Sequence, residues 1–332
     1  MMKDKITILS SHKLLCASGK FFLYCKGSAL YKQKSNGGSE EYIGSVPGKF
    51  VFRLFSKSHI LCRLFRLEPR CGIFTDESTA LISIHGGVYR VDLEKGGIYR
   101  EHSFRKGMNN PLRFSKIENI KGFENCIVYG EYFGNLTKEE VCIYSRSKEG
   151  VWKRIDIFAQ NTVMHIHGIV PFPEMNCLFV LTGDEDKESG IWKIENNFQS
   201  VKPVVTGKQI YRSCVAFPYE KGIVYGTDTP LEKNAIYYIP DINSTKLSLI
   251  KLADMPGPCI YGMQLSNGDF VFGTSVEPDS RKKGISYKLT YKLGMGVQDR
   301  FSHIIMGNPE KGFREVFKAK KENTLWCSQE LP

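Results

Sequence analysis

One short pattern recurs six times along the chain. A β-rich run ends in glycine with a polar neighbour, a loop follows, and a short strand carrying an aromatic comes next. Ile127-Val128-Tyr129-Gly130-Glu131 followed by Val141-Cys142-Ile143-Tyr144 is one instance, and Ile223-Val224-Tyr225-Gly226-Thr227-Asp228 followed by Ile236-Tyr237-Tyr238 is another. The glycines are Gly27, Gly86, Gly130, Gly183, Gly226 and Gly273, spaced by 59, 44, 53, 43 and 47 residues. A period in the forties to fifties, with several short strands per unit, is that of a propeller blade. No sustained helical period competes with it.

The fourth unit is expected to place strands at 166–172, 177–182, 191–194 and 201–205. The fifth is expected to place them at 212–217, 222–225, 235–239 and 247–252. In the sixth, the third strand falls at 303–306 and the outer one at 313–318, which makes residues 281–300 an insertion. The expectation is an all-β, six-bladed β-propeller of four-stranded antiparallel blades, one domain over residues 1–332. Five or seven blades also fit, because the first unit is the least regular.

Composition agrees. Hydrophobic residues make up 42% of the 332, enough for a core, and aromatics 12%, which suits a pleated surface. No apolar run approaches the roughly 20 residues of a membrane-spanning helix. The stretch Met1–Leu9 lacks a long apolar core, so no secretory signal is expected. The ten cysteines form no CxxC pair and no zinc-finger spacing. Reduced thiols and a cytoplasmic location follow as expectations. The net charge of +11 attracts polyanions. Its basic residues are spread along the chain with no basic run or RNA-binding signature, so an acidic carbohydrate is the expected partner and nucleic acid is not. Oligomeric state stays open.

In a four-stranded meander, starts of first strands and loops after second strands converge on one face around the axis. First-strand starts supply Arg66, Glu68 and Arg70, then His165 and His167, then Arg212 with Gln209 before it. Loops after second strands supply Glu131 and Tyr132, Asp184, and Asp228. Alternation along a strand turns His165 and His167 the same way, and likewise Arg66, Glu68 and Arg70. Ionisable groups gathered in a concavity mark a candidate site. Blander roles compete: core histidines, turn aspartates bonding their own backbone, and an ion-pair lattice between blades. Trp152 and Trp192 read as packing between blades.

The segment Ser145-Arg146-Ser147-Lys148-Glu149-Gly150-Val151-Trp152 resembles the Asp box, Ser-x-Asp-x-Gly-x-x-Trp, of sialidase-like, BNR-type propellers. It keeps Ser145 and Trp152, has Ser147 in place of Asp, and sets its glycine one place late. The stretch from His165 to about Asp241 is similar to sialidase-like propellers in its HxH, Thr182-Gly183-Asp184, Gln209 with Arg212, and Gly226-Thr227-Asp228. The resemblance implies a propeller and a leaning toward carbohydrate. It would give Arg66, Arg70 and Arg212 to a substrate carboxylate, Glu131 and Tyr132 to the nucleophilic pair, and Asp184 to the acid, with no cofactor. Two other readings stand beside it. His165, His167 and Gln209 could hold a divalent metal, as in propeller lyases that cleave uronate-containing glycans, or the propeller is a non-catalytic binding platform.

Overall fold

The computed structural model describes residues 12–48, 54–58, 61–62, 65–279, 292–320 and the backbone of 329–330. These residues build six four-stranded antiparallel sheets, each from strands consecutive in sequence. Blade 1 comprises β1 (Lys13–Ala17), β2 (Phe21–Lys26), β3 (Ala29–Lys34) and β4 (Glu41–Ser45). Blade 2 comprises β5 (Gly72–Phe74), β6 (Thr79–Ile84), β7 (Gly87–Asp92) and β8 (Gly97–Ser103). Blade 3 comprises β9 (Ser115–Ile117), β10 (Cys126–Gly130), β11 (Val141–Arg146) and β12 (Trp152–Phe158). Blade 4 comprises β13 (His165–Phe172), β14 (Cys177–Gly183), β15 (Gly190–Glu195) and β16 (Ser200–Thr206). Blade 5 comprises β17 (Ser213–Tyr219), β18 (Gly222–Thr227), β19 (Asn234–Ile239) and β20 (Ile250–Met255). Blade 6 comprises β21 (Cys259–Gln264), β22 (Phe270–Val276), β23 (Phe301–Asn308) and β24 (Gly312–Lys320), and β25 (Gln329–Glu330) pairs with the end of β22. Helix among the described residues is limited to residues 54–55, 61–62 and 65 and to three 3-10 turns of three residues each.

The second strands are the most buried elements. Strand β14 is buried at every position, as are β6 and β18. Their side chains face a neighbouring blade on both sides, which is why these runs read as continuously apolar. Apolar clusters fill the contacts between successive blades: Leu23 with Ile82, Leu81 with Ile127 and Tyr129, Val128 with Val180, Leu181 with Tyr225, and Val224 with Phe272. Each fully buried side chain of this size contributes about 1.5–3 kcal/mol. Trp152 and Trp192 join blades, as the sequence suggests. Trp152 stacks on His102 of β8 at 4.8 Å and donates to Glu101, while Trp192 packs edge-on against Phe158 of β12. The Asp-box-like segment forms the β11–β12 turn, with Gly150 at φ 88°.

Four inner strands carry a one-residue bulge. Pairing skips Leu15 in β1, His167 in β13, Cys214 in β17 and Ile260 in β21. Bulges re-aim a side chain without ending the sheet.

One expectation needs correction. Arg66, Glu68 and Arg70 do not share a strand face, because β5 begins only at Gly72 and Arg66 sits exposed in a turn at φ 51°. The expected insertion at 281–300 falls between β22 and β23, and residues 281–291 of it lie outside the described residues.

Candidate functional site

Blades 4 and 5 bring one dense polar cluster together. His165 opens β13, and His167 is its bulge residue. Both rings are buried, at 4% and 2% exposure. The His165 Nδ1 lies 2.8 Å from the carbonyl oxygen of Phe133, and the His167 Nδ1 lies 3.2 Å from that of Ser213. A carbonyl oxygen only accepts, so each Nδ1–H donates and each Nε2 of a neutral ring is left with its lone pair. Those two Nε2 atoms meet at 3.0 Å. Asp184 Oδ1 lies 3.2 Å from His167 Nε2 and 3.5 Å from His165 Nε2. The Tyr132 ring covers His165 at 4.3 Å.

Asp184 is held from its other side by blade 5. Arg212 Nη2 approaches its Oδ1 at 2.8 Å, and Arg212 Nη1 donates to its backbone oxygen at 2.9 Å. Gln209 Nε2 donates to the same backbone oxygen at 2.9 Å, while its Oε1 accepts from Thr229. The Asp184 side chain keeps 39% exposure against 15% for Arg212, so it is the more exposed of the pair. Gly183 permits the crowding: a Cβ there would stand 2.5 Å from His167 Cε1 and 3.3 Å from Arg212 Cγ.

Asp228 sits on the far side of Arg212, 3.7 Å from its Nε, and accepts from Cys214 Sγ at 3.2 Å. In sequence, Gly183-Asp184 and Gly226-Thr227-Asp228 look equivalent. The sheet registers make them different. Ile166 pairs with Thr182 and Ser213 with Thr227, so Asp184 lies two residues past its threonine and Asp228 only one. That single step buries Asp228 and leaves Asp184 half out.

The electrostatics follow. Burial alone would raise the Asp184 carboxyl, but the Arg212 charge at 2.8 Å pulls it the other way. Burial pushes the Asp228 carboxyl up to about 7, against the pull of Arg212 and with a push from Glu277. Burial depresses the His167 imidazole to about 4. Burial, with the nearby Asp184 charge, raises the Tyr132 hydroxyl.

Of the residues singled out by sequence, His165, His167, Asp184, Gln209, Arg212, Asp228 and Tyr132 come together. Glu131 is engaged elsewhere. Its carboxylate takes a bidentate pair from Arg105, at 3.0 and 2.9 Å, and a bond from the Cys142 amide. Glu68 lies by Gly27 and Cys62 in blade 1 and its neighbouring loop. Arg70 is near enough to Tyr132 to act on its charge, whereas Arg66 is exposed. No three-arginine clamp forms from Arg66, Arg70 and Arg212, since Arg212 is occupied by two aspartates. Sequence reasoning missed Arg113. It precedes the three-residue strand β9, reaches Ile260 O at 3.2 Å, and passes over side-chain-free Gly168 beside Cys214. Its Nε is buried without a hydrogen-bond partner. The rule that first-strand starts face the axis would have found it, had so short a strand been recognised.

Only the Nδ1–carbonyl pattern and the donor set bear on a metal: two imidazoles and a carboxylate converge, with Gln209 outside them.

No protein-family model and no curated protein matches the sequence. Solved structures match the fold. A chain of the Mitotic Checkpoint Complex is similar with a TM-score of 0.54 at 9% identity, covering 95% of this chain and 81% of that one. The WD40 β-propeller domain of Doa1 is similar with a TM-score of 0.51 at 9% identity, over 95% of this chain and 96% of the domain. TolB from Acinetobacter baumannii gives 0.46 at 12% identity, over 92% of this chain, which spans 62% of TolB's length. At such identities the likeness establishes the β-propeller alone. It supports propellers in general and not the sialidase-like branch in particular.

Proposed function

We propose that this propeller is an enzyme acting on an acidic carbohydrate at the mouth formed by His165, His167, Asp184, Gln209 and Arg212. One observation carries the reading. Ionisable side chains from two adjacent blades are bonded to one another, with His165, His167 and Asp228 buried and Asp184 the most exposed, at 39% against 15% for Arg212. Burying several charged groups is a poor way to stabilise a fold. Such groups held at the edge of a cavity are the usual equipment for proton transfer. The excess of basic residues favours an anionic partner. Asp184 is the group that would meet substrate, with Arg212 and Gln209 positioning it. The sialidase-type pair of Glu131 with Tyr132 is not part of this proposal, because Arg105 occupies Glu131. A cytoplasmic setting belongs to the same reading and is supported by the unpaired cysteines among the described residues.

The test is a panel of sialylated and uronate-containing oligosaccharides followed by mass spectrometry. Addition of water across a glycosidic bond would mark a hydrolase, and an unsaturated product a lyase. Binding on a glycan array with no product from any panel member would overturn the enzyme and leave a binding platform.

A further inference from the structure

We propose that His165 Nε2, His167 Nε2 and Asp184 Oδ1 form a binding site for one divalent transition-metal ion. The argument is hydrogen-bond bookkeeping. Backbone carbonyls take the hydrogens of both Nδ1 atoms. Two ring lone pairs and a carboxylate oxygen then face one another at 3.0, 3.2 and 3.5 Å, with no hydrogen among them to share. Three acceptors at these distances repel unless a cation lies between them.

The surroundings are those of metal ligands. A ligating histidine almost always gives its other ring N–H to a carbonyl or carboxylate, which fixes the ring and its tautomer. Both rings do so here. The triangle's size also fits. Its corners lie about 1.9 Å from a common centre, by geometry on its three edges. An ion with ligand distances of about 2.0–2.2 Å would therefore cap it slightly out of plane. Two imidazoles with one carboxylate suit first-row divalent metals and leave positions open for water or substrate. The open side is the Asp184 side, the exposed edge of the cluster.

Arg212 uses one lone pair of Asp184 Oδ1 and leaves another. Its charge opposes a dication, and the nearby Asp228 and Glu277 carboxyls offset that charge. Gln209 supports the site from behind, because both ends of its amide are spent on Asp184 O and Thr229. A neighbouring trio, His167, Cys214 and Asp228, is buried throughout, and its thiol already donates to its carboxylate. It offers no open side.

The site stands on its own geometry and is tested without any glycan. Full-length protein is stripped with a chelator and titrated with Zn2+ by calorimetry and with Co2+ by visible absorption. One ion per chain is expected, with a Co2+ spectrum of mixed nitrogen and oxygen ligation. His165→Asn, His167→Asn and Asp184→Asn should each weaken binding at least tenfold, and Cys214→Ser should change it less than twofold. Anomalous diffraction from a Zn2+ soak of the unaltered protein places the ion even if a variant fails to fold. Absence of a stoichiometric ion would overturn the site, leaving a proton shared between the rings. Retention by His165→Asn with loss in Cys214→Ser would overturn it in favour of the buried trio. A bound ion without turnover of any glycan refutes the enzyme and keeps the site, while turnover by protein that binds no ion does the reverse.

Discussion

Blades 2 and 4 use the same place in the repeat for opposite ends. In blade 2 the link from second to third strand is the two-residue turn His85-Gly86, with φ of 51° and 72°. Positive φ at both positions is the tight primed hairpin that matches strand twist. Nothing is left over to reach the axis. In blade 4 the link runs from Asp184 to Ser189, and its first residue joins the histidine cluster. The repeat glycine changes its job accordingly. A Cβ on Gly86 would meet nothing within 4 Å, so this glycine is there for its backbone angle, whereas Gly183 is there because a side chain would strike His167 and Arg212. A repeat glycine therefore marks a place where the chain must turn or where another blade must pass, and only the structure says which.

Four experiments break or sharpen that contrast. The largest effect is expected from Asp184→Asn, which should lower turnover of a glycan found by the panel about 10³-fold, within the range for a proton-transfer group. Retained far-ultraviolet circular dichroism would separate this from unfolding. A value near wild type would reduce the blade 4 loop to a longer version of the blade 2 turn. Next is Glu131→Ala in blade 3, whose loop also follows a second strand but is tied down by Arg105. It should cost about 3 kcal/mol in denaturant unfolding, as for breaking a buried pair, and leave turnover by the surviving folded protein unchanged. A selective loss of turnover would restore Glu131 to the site.

The two glycines form the third test. Gly183→Ala should cost about 2 kcal/mol through crowding and weaken any ligand of the cluster. Gly86→Ala should cost about 1 kcal/mol through its backbone angle alone and leave ligand binding intact. Equal effects on binding would erase the distinction between them. The smallest effect concerns acidity. A carboxyl raised to about 7 by burial holds its proton more tightly in the folded chain than in the unfolded one. Its contribution therefore favours folding at low pH and is lost as pH rises from about 4 through about 7. In chelator, wild-type stability should fall across that window relative to Asp228→Asn. Parallel curves would mean Asp228 is ionised throughout.

Much of the architecture is legible in the sequence. The blade 4 and blade 5 strands fall within about three residues of their expected bounds, because their second strands are long apolar runs punctuated by turn residues. Where strands shrink, legibility is lost. Strand β5 has three residues and β9 three, too few to show alternation, so Arg66–Arg70 passes for strand and Arg113 escapes notice. Convergence of His165, His167, Asp184 and Arg212 follows from blade geometry alone. Partner choice does not. Arg105 lies in the connection between blades 2 and 3, and Glu131 follows the second strand of blade 3, 26 residues on, and nothing local to either residue announces the other. The one-residue offset between Asp184 and Asp228 is a matter of register, Thr182 and Thr227 being the matched positions, and register between two strands is not written in either run alone.

The inner-strand bulges separate two kinds of change. His167, Cys214 and Ile260 stand at equivalent points of three inner strands, exempt from the ladder that fixes every neighbour's alignment. Exchanging one for another residue type leaves the registration of its blade undisturbed. These bulge positions can thus be rewritten one by one, with three very different side chains already present on one scaffold.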